Sequence, residues 1–272
     1  MGGFATGLVN RPILASIHTD AFRHNLNRVR ELAPNSKIWS VIKSRAYGHS
    51  FEAALKGLAS TDGFALLNIQ NAQNLREQGW QGRILLLEGV FHEKELALAQ
   101  ELSCDLVVHC EAQVEWLERY SGHKPFSVFL KMNSGMNRLG FKPDAYKTAY
   151  HRLHAIGCKM HHMTHFANAD QIDRLPTVGS QQELFNDTIA SLDAPTSLAN
   201  SAAILWHRNA LGDWVRPGIM LYGVSPSGSY ADIKNAHLKA VMQLQSEIID
   251  IQHLQKGDRV GYGSRFEAPE PM

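Results

Sequence analysis

Lys43 comes directly after the apolar run Ile38–Ile42. A lysine at the end of a buried strand loses hydration, and its amine then suits Schiff-base chemistry with a carbonyl group. The alternative is a lysine whose stem lies along apolar surface while its head stays wet. Ser201 offers a hydroxyl, and Gly218 and Ile219 offer backbone N–H groups where a helix starts, an arrangement that favours an anion. Fourteen histidines occur, and a lone histidine is ordinarily structural or exposed, so position has to decide which of them does chemistry. Cys104, Cys110 and Cys158 are an odd number without metal-ligand spacing. They read as reduced thiols, and no metal site is expected.

The elements that must position these groups are short apolar runs alternating with amphipathic segments. Ile13–Ile17 is a first strand. Thr19 or Asp20 can cap a helix to about Leu32, with Phe22, Leu26 and Val29 on one face. Eight strands follow, over Ile38–Ile42, Gly63–Leu67, Ile84–Leu87, Asp105–Val108, Ser127–Lys131, Lys159–Thr164, Ser197–Asn200 and Asp213–Arg216. Helical patterns separate most of them, among them Lys94–Leu102, Glu111–Tyr120, Ala145–Ile156 and Gln181–Leu192. Eight βα units predict an α/β fold of the (β/α)8 TIM-barrel type. An open doubly wound sheet is the alternative, but no glycine-rich dinucleotide fingerprint follows the first strand. From Ala240 to Asp250 the pattern alternates with period two, which predicts a long strand. Lys256-Gly257-Asp258 is a turn, and Arg259–Tyr262 begins another strand. The expected organisation is an extension over 1–10, a barrel over 11–239 whose surplus strand Ile13–Ile17 can pair with a β domain, and an incomplete β domain over 240–272. A barrel gathers its chemistry at the C-terminal ends of its strands, and the loops after strands seven and eight commonly hold a phosphate.

The residues closing those strands resemble bacterial alanine racemases. Lys43-Ser44-Arg45-Ala46-Tyr47-Gly48-His49 is similar to their lysine segment Lys-Ala-Asn/Asp-Ala-Tyr-Gly-His-Gly, with departures at Ser44, Arg45 and Ser50. Lys131-Met132-Asn133-Ser134-Gly135-Met136-Asn137-Arg138-Leu139-Gly140 resembles Lys-x-Asp/Asn-Thr/Ser-Gly-Met-x-Arg-Leu-Gly. Thr164-His165-Phe166-Ala167-Asn168-Ala169-Asp170, Asn200-Ser201-Ala202-Ala203, Arg216-Pro217-Gly218-Ile219 and Val260-Gly261-Tyr262-Gly263 follow in family order. The resemblance spans about Arg11 to Gly263.

It implies a pyridoxal 5'-phosphate (PLP) enzyme that interconverts L-alanine and D-alanine with two bases, Lys43 and Tyr262. The tyrosine acts on the active site of the partner subunit of a homodimer. An unperturbed tyrosine pKa is about 10, so such a base needs a cationic neighbour. Lys43, Tyr47, Arg138, His165, Asn200, Ser201, Arg216, Gly218 and Ile219 are implied as cofactor-binding, with Arg138 also orienting the substrate carboxylate. Arg216 is implied to face the ring nitrogen, and as a permanent cation it leaves that nitrogen unprotonated. Lys131 is carbamylated in some members and there pairs with the arginine that matches Arg138, which converts one of two repelling buried cations into an anion; an unmodified lysine reaching solvent is the alternative. Because the family continues through a β-rich domain of roughly a hundred residues, the expectation is a folded PLP-binding barrel with weak racemase activity. A PLP carrier without turnover, or a racemase of a related small amino acid, are the alternative functions.

Net charge is +1, from 27 basic and 26 acidic residues, with no polybasic block, so neither nucleic acid nor an anionic membrane is an expected partner. No apolar run approaches the ~20 residues that span a bilayer. Residues 1–10 lack the charged and apolar regions of a signal peptide, and a cytoplasmic location is expected.

Overall fold

A computed structural model of the chain describes residues 11–122 and 124–272; the expected extension over 1–10 lies outside them. The described residues divide into two compact units, one over Ile17–Met242 and the other joining 11–16 to Gln243–Met272.

The first unit is a closed barrel of eight parallel strands. In chain order, after β1 (Ile13–Ile17), these are β2 (Lys37–Val41), β3 (Gly63–Leu66), β4 (Arg83–Leu86), β5 (Cys104–Val108), β6 (Ser127–Lys131), β7 (Lys159–Met163), β8 (Thr196–Ser197) and β9 (Trp214–Val215), with β9 pairing back onto β2. Period-two alternation divides each strand between two cores. Trp39, Val41, Ala65, Leu85, Val107, Phe129, Met163 and Trp214 pack on one another inside the barrel. Their neighbours Ile38, Phe64, Ile84, Leu106 and Val128 join the core that includes the helices. Bulky indoles fill the interior only because Gly63 yields space: a Cβ there would lie 2.2 Å from the Trp39 ring. Below this layer Arg83 sits against the rings of Trp39 and Trp214, 5.1 and 4.7 Å from their centroids, and makes a two-bond salt bridge to Asp105. His161 stacks on Phe129 at 4.2 Å with its Nδ1 unpartnered. Burial first, then the Arg83 charge, lowers its pKa to about 4.

The helix over Thr19–Leu32 buries Phe22, Leu26 and Val29 as the pattern predicts, but both expected caps lie within it. His18 is the boundary residue, and no side chain caps that end. Helices Glu95–Glu101, Glu111–Arg119, Pro143–Ala155 and Val178–Ile189 stand within a few residues of expectation. Strands β8 and β9 are two residues long, shorter than the sequence predicts. Beyond Ser197 the backbone leaves the ladder to serve side chains: the Leu198 carbonyl accepts from Arg216 Nη2 and Asn200 caps the helix Ser201–Trp206.

After β2 the chain does something L-residues rarely do. Ser44, Arg45, Ala46 and Tyr47 all have φ between 52 and 55°, and Gly48 follows at 83°. This is a full left-handed turn, in a region that costs roughly 1–2 kcal/mol per non-glycine residue. It is held by Ala46 N to the Ile42 carbonyl, Gly48 N to the Ser44 carbonyl, and Tyr47 packed 4.6 Å from the Tyr222 ring. Ser50 then adopts φ 74°, ψ 124° while its Oγ caps the helix Phe51–Gly57 by accepting from Ala53 N.

In the second unit β1 pairs with β10 (Met242–Ser246), and the short strands β11 (Arg259–Val260) and β12 (Phe266–Glu267) form an antiparallel pair. The long strand expected to Asp250 ends at Ser246. Its last rung is Glu247 N to the Pro12 carbonyl, after which Ile248, Ile249 and Ile251 are exposed. Alternation without a neighbouring strand makes no ladder. Tyr262 lies not in the expected strand but in a 3-10 turn over Tyr262–Ser264, fully exposed.

Two outcomes follow from the barrel and its strained turn. His161 has an unfolded pKa of about 6.5 and a folded one of about 4, so between those values the unfolded chain holds a proton that the folded chain lacks. Stability is fully retained above pH 6.5 and falls as pH drops towards 4. Urea midpoints measured across that window should decline, and a His161→Leu variant should show a shallower decline; an unchanged slope would remove His161 as a cause. At Ser50, glycine relieves the positive φ and forfeits only a few tenths of a kcal/mol of capping. Ser50→Gly should therefore raise the thermal midpoint by about 2–4 °C. Ser50→Ala keeps the strain, loses the cap and should lower it.

Candidate active site

One cavity of about 400 Å3 opens at the C-terminal ends of the barrel strands, within the size range of small-molecule sites. Lys43, Tyr47, Lys131, Arg138, His165, Asn200, Ser201, Arg216, Gly218 and Ile219 all line it. Every cofactor-binding residue expected from the sequence therefore meets in one place. Tyr262 is not among the lining residues and belongs to the other compact unit.

The left-handed turn explains how Lys43 and Tyr47 share that cavity. An extended chain would carry Tyr47 ~13 Å past Lys43, whereas the turn brings Lys43 Nζ to 5.9 Å from the Tyr47 ring centroid. Tyr222 braces the strand end by donating from its hydroxyl to the Val41 carbonyl at 3.0 Å. At the same end of the cavity Ser201 Oγ accepts from Gly218 N at 2.9 Å. A Cβ on Gly218 would lie 2.6 Å from Tyr47 Oη. Glycine leaves room there for two hydroxyls and backbone N–H groups to converge. Asn200 lines the cavity, but its side chain is already engaged: Oδ1 accepts from Ala203 N and Nδ2 donates to the Phe166 carbonyl.

Arg216 is buried. Its guanidinium donates to Ser197 Oγ at 2.7 Å, to the Thr164 and Leu198 carbonyls at 2.6 and 3.2 Å, and to His165 Nδ1 at 3.1 Å. No carboxylate pairs with it among the described residues. Burial lowers its pKa only to about 10, so it stays charged at neutral pH. Arginine is a donor only, so His165 Nδ1 must accept and the ring's proton sits on Nε2. Burial, Arg216, Lys131, Arg138 and Lys43, in that order, hold His165 well below its usual pKa and keep it neutral. Behind it the buried Gln181 amide ties the loops after β6 and β7, accepting from Ala167 N and donating to Ser134 Oγ and the His165 carbonyl.

Lys131 is buried, and burial, Arg216, Arg138 and Lys43 push its amine down to about 8, against an opposing pull from Glu88. Arg216 and then Arg138 are the charges that act most strongly on Lys131; Arg216 is buried, whereas Arg138 lines the cavity and is exposed. Glu88, Asp170 and Ser197 escaped the sequence reading. Glu88 follows the strand Ile84–Leu87 just as Lys43 follows its own, and applying the strand-end rule to every strand would have found it.

The family model "Alanine racemase, N-terminal domain" matches residues 17–226. Alanine racemase of Cupriavidus necator is 47% identical over 264 residues, covering 96% of this chain and 70% of the relative. The structure of alanine racemase from Acinetobacter baumannii superposes with a TM-score of 0.90 at 39% identity, covering 96% of this chain and 74% of that one. Alanine racemase from Bartonella henselae, described with covalently bound pyridoxal phosphate, shares the fold with a TM-score of 0.84 at 23% identity, covering 96% of this chain and 73% of that one. By the family model over 17–226 and the 47% identity along 96% of its length, the chain belongs to the alanine racemase family.

Proposed function

We propose that this chain is a PLP-dependent racemase of alanine, with Lys43 as one base and Tyr262 of the partner subunit in a homodimer as the other. The observation that carries the reading is the single cavity in which Lys43, the Tyr47–Ser201–Gly218 cradle and Arg216 converge. The residues fit the cofactor. Two hydroxyls and adjoining backbone N–H groups suit a phosphate, and Gly218 has no Cβ to obstruct it. Lysine, arginine and a neutral histidine supply the rest of a cationic cavity suited to a phosphorylated anion. Bound PLP supplies a carbonyl carbon for an amine and a conjugated ring that acidifies the amino acid's Cα–H.

The chain's own groups do the remainder. Tyr47, Ser201, Gly218 and Ile219 hold the phosphate, and Asn200 sets the start of the helix that carries Ser201. His165, fixed as a neutral ring, gives the aromatic cofactor a flat wall. Arg216, a donor only and still charged, keeps a ring nitrogen facing it unprotonated. This limits how much negative charge the ring accepts and leaves it nearer Cα. Arg138 orients the substrate carboxylate. Lys43 Nζ takes a proton from one face of Cα and the partner's Tyr262 Oη returns one to the other, so configuration inverts. Residues 11–16 and 243–272 would then form the start of a β domain that brings Tyr262 to its partner. No helix among the described residues is long and apolar enough to cross a membrane, in keeping with a cytoplasmic enzyme that makes D-alanine.

Borohydride reduction of PLP-loaded protein, followed by peptide mapping, should place the adduct on Lys43, and a coupled assay should detect D-alanine formed from L-alanine. Lys43→Ala should abolish both. An adduct on another lysine would sink the site assignment, and PLP binding without any turnover would leave the carrier reading. For Lys131 we expect a carbamate: protein in 13C-bicarbonate should show a carbamate resonance that Lys131→Ala lacks. That variant should lose about 10- to 100-fold in kcat, the worth of one charge-assisted hydrogen bond on Arg138.

A further inference from the structure

Glu88 is the residue in the cavity for which neither the family motifs nor the proposed reaction has a use. It lies two residues after β4 and lines the same cavity as Lys131, which ends β6 two strands away. Its backbone is unusually well held. The Glu88 carbonyl accepts from Gln113 Nε2 at 2.8 Å and from His109 Nε2 at 3.2 Å, while Gln113 Oε1 accepts from His109 N at 2.9 Å. Gly89 turns the chain at φ 68°, and a Cβ there would come within 2.3 Å of the Val107 carbonyl. The corner is pressed against the end of β5, and the carboxylate is presented from a fixed base. Neither that carboxylate nor Lys131 Nζ has a hydrogen-bond or ion-pair partner among the described residues.

The charges around Lys131 make this a matter of choice between anions. Lys43, Arg138 and Arg216 surround it with positive charge, and Glu88 is the acid that acts back upon it. A lysine so placed has two ways to reduce that repulsion. It can keep its ammonium and lean on Glu88, or it can become an anion itself.

We propose that Glu88 is a positioning residue that competes with carbon dioxide for control of Lys131, holding it as an ammonium when carbon dioxide is scarce and so setting the concentration at which the carbamate forms. The proposal rests on the carbamate reading of Lys131 given above. In the modifying step the unprotonated Nζ attacks the carbon of CO2, an N–C bond forms, one C=O pair moves onto oxygen, and the proton left on nitrogen passes to solvent. From the ammonium, two protons are released and the side chain changes from +1 to −1. Glu88 opposes this at both ends. It favours the ammonium that must first lose a proton, and it repels the carbamate that results.

The test is a titration of PLP-loaded protein with 13C-bicarbonate at fixed pH, read as the carbamate resonance, on the wild type, Glu88→Gln and Glu88→Asp. Glu88→Gln should reach half carbamylation at a bicarbonate concentration at least fivefold lower than the wild type. Glu88→Asp, which keeps the charge, should stay within about twofold of it. PLP absorbance and the thermal midpoint are recorded for each protein. A loss of packing at this corner would shift those readings in both variants, but it would not separate Gln from Asp in the titration. Equal midpoints for the wild type and Glu88→Gln would overturn the proposal while leaving the carbamate intact. A carbamate absent from all three proteins at saturating bicarbonate would overturn it together with the reading of Lys131, but not the assignment of PLP to Lys43. A carbamate seen in Glu88→Gln alone would support it in its strongest form.

Discussion

The buried guanidinium of Arg216 is the constraint on which this site depends. A cation taken out of water with no carboxylate beside it survives only if neutral acceptors surround it. Here the acceptors come from two strand ends, the Thr164 carbonyl and His165 Nδ1 after β7 and Ser197 Oγ and the Leu198 carbonyl at β8, while Arg216 itself follows β9. Satisfying one side chain therefore locks three strand ends together. It also bears on why β8 is so short, because the Leu198 carbonyl turns to the arginine and Asn200 starts a helix.

Much of the site's electrostatics follows from that cation. It makes His165 an acceptor at Nδ1 and, after burial, does most to hold the ring neutral, so an imidazole in a cationic cavity adds no further charge. It is the largest charge acting on Lys131, ahead of Arg138. Lys43, Lys131, Arg138 and Arg216 face only Glu88 and Asp170 across the cavity. A cavity so unbalanced is built for anionic groups, and a phosphate with a substrate carboxylate supplies them. The buried members, Lys131 and Arg216, interact more strongly than they would at the surface.

The second constraint is steric. Lys43 and Tyr47 line one cavity from a single strand end, and the chain achieves this by four consecutive residues in left-handed backbone. Such a turn persists only where its surroundings over-determine it. Tyr222 does so twice, through its hydroxyl on Val41 and its ring on Tyr47. Ser50, where the family motif has glycine, carries strain that the motif avoids.

The sequence by itself determined the barrel and most of the cavity's membership. Eight apolar runs separated by amphipathic segments are a strong periodic signal, and residues at strand ends share one rim as a matter of topology. That is why Lys43, Arg138, His165, Ser201 and Arg216 could be named from their positions and motifs. The ends of β8 and β9, the left-handed course of Ser44–Tyr47 and the length of β10 were decided only by tertiary structure. Each depends on which distant group claims a backbone carbonyl or which neighbour fails to offer one, and period-two alternation past Ser246 cannot reveal that Ile248 and Ile249 find no partner. The exposure of Arg138 and the burial of Arg216 likewise belong to the folded molecule. A residue's type records its charge, but only packing decides how much water remains around it, and it is water that sets what the charge does to Lys131 and His165.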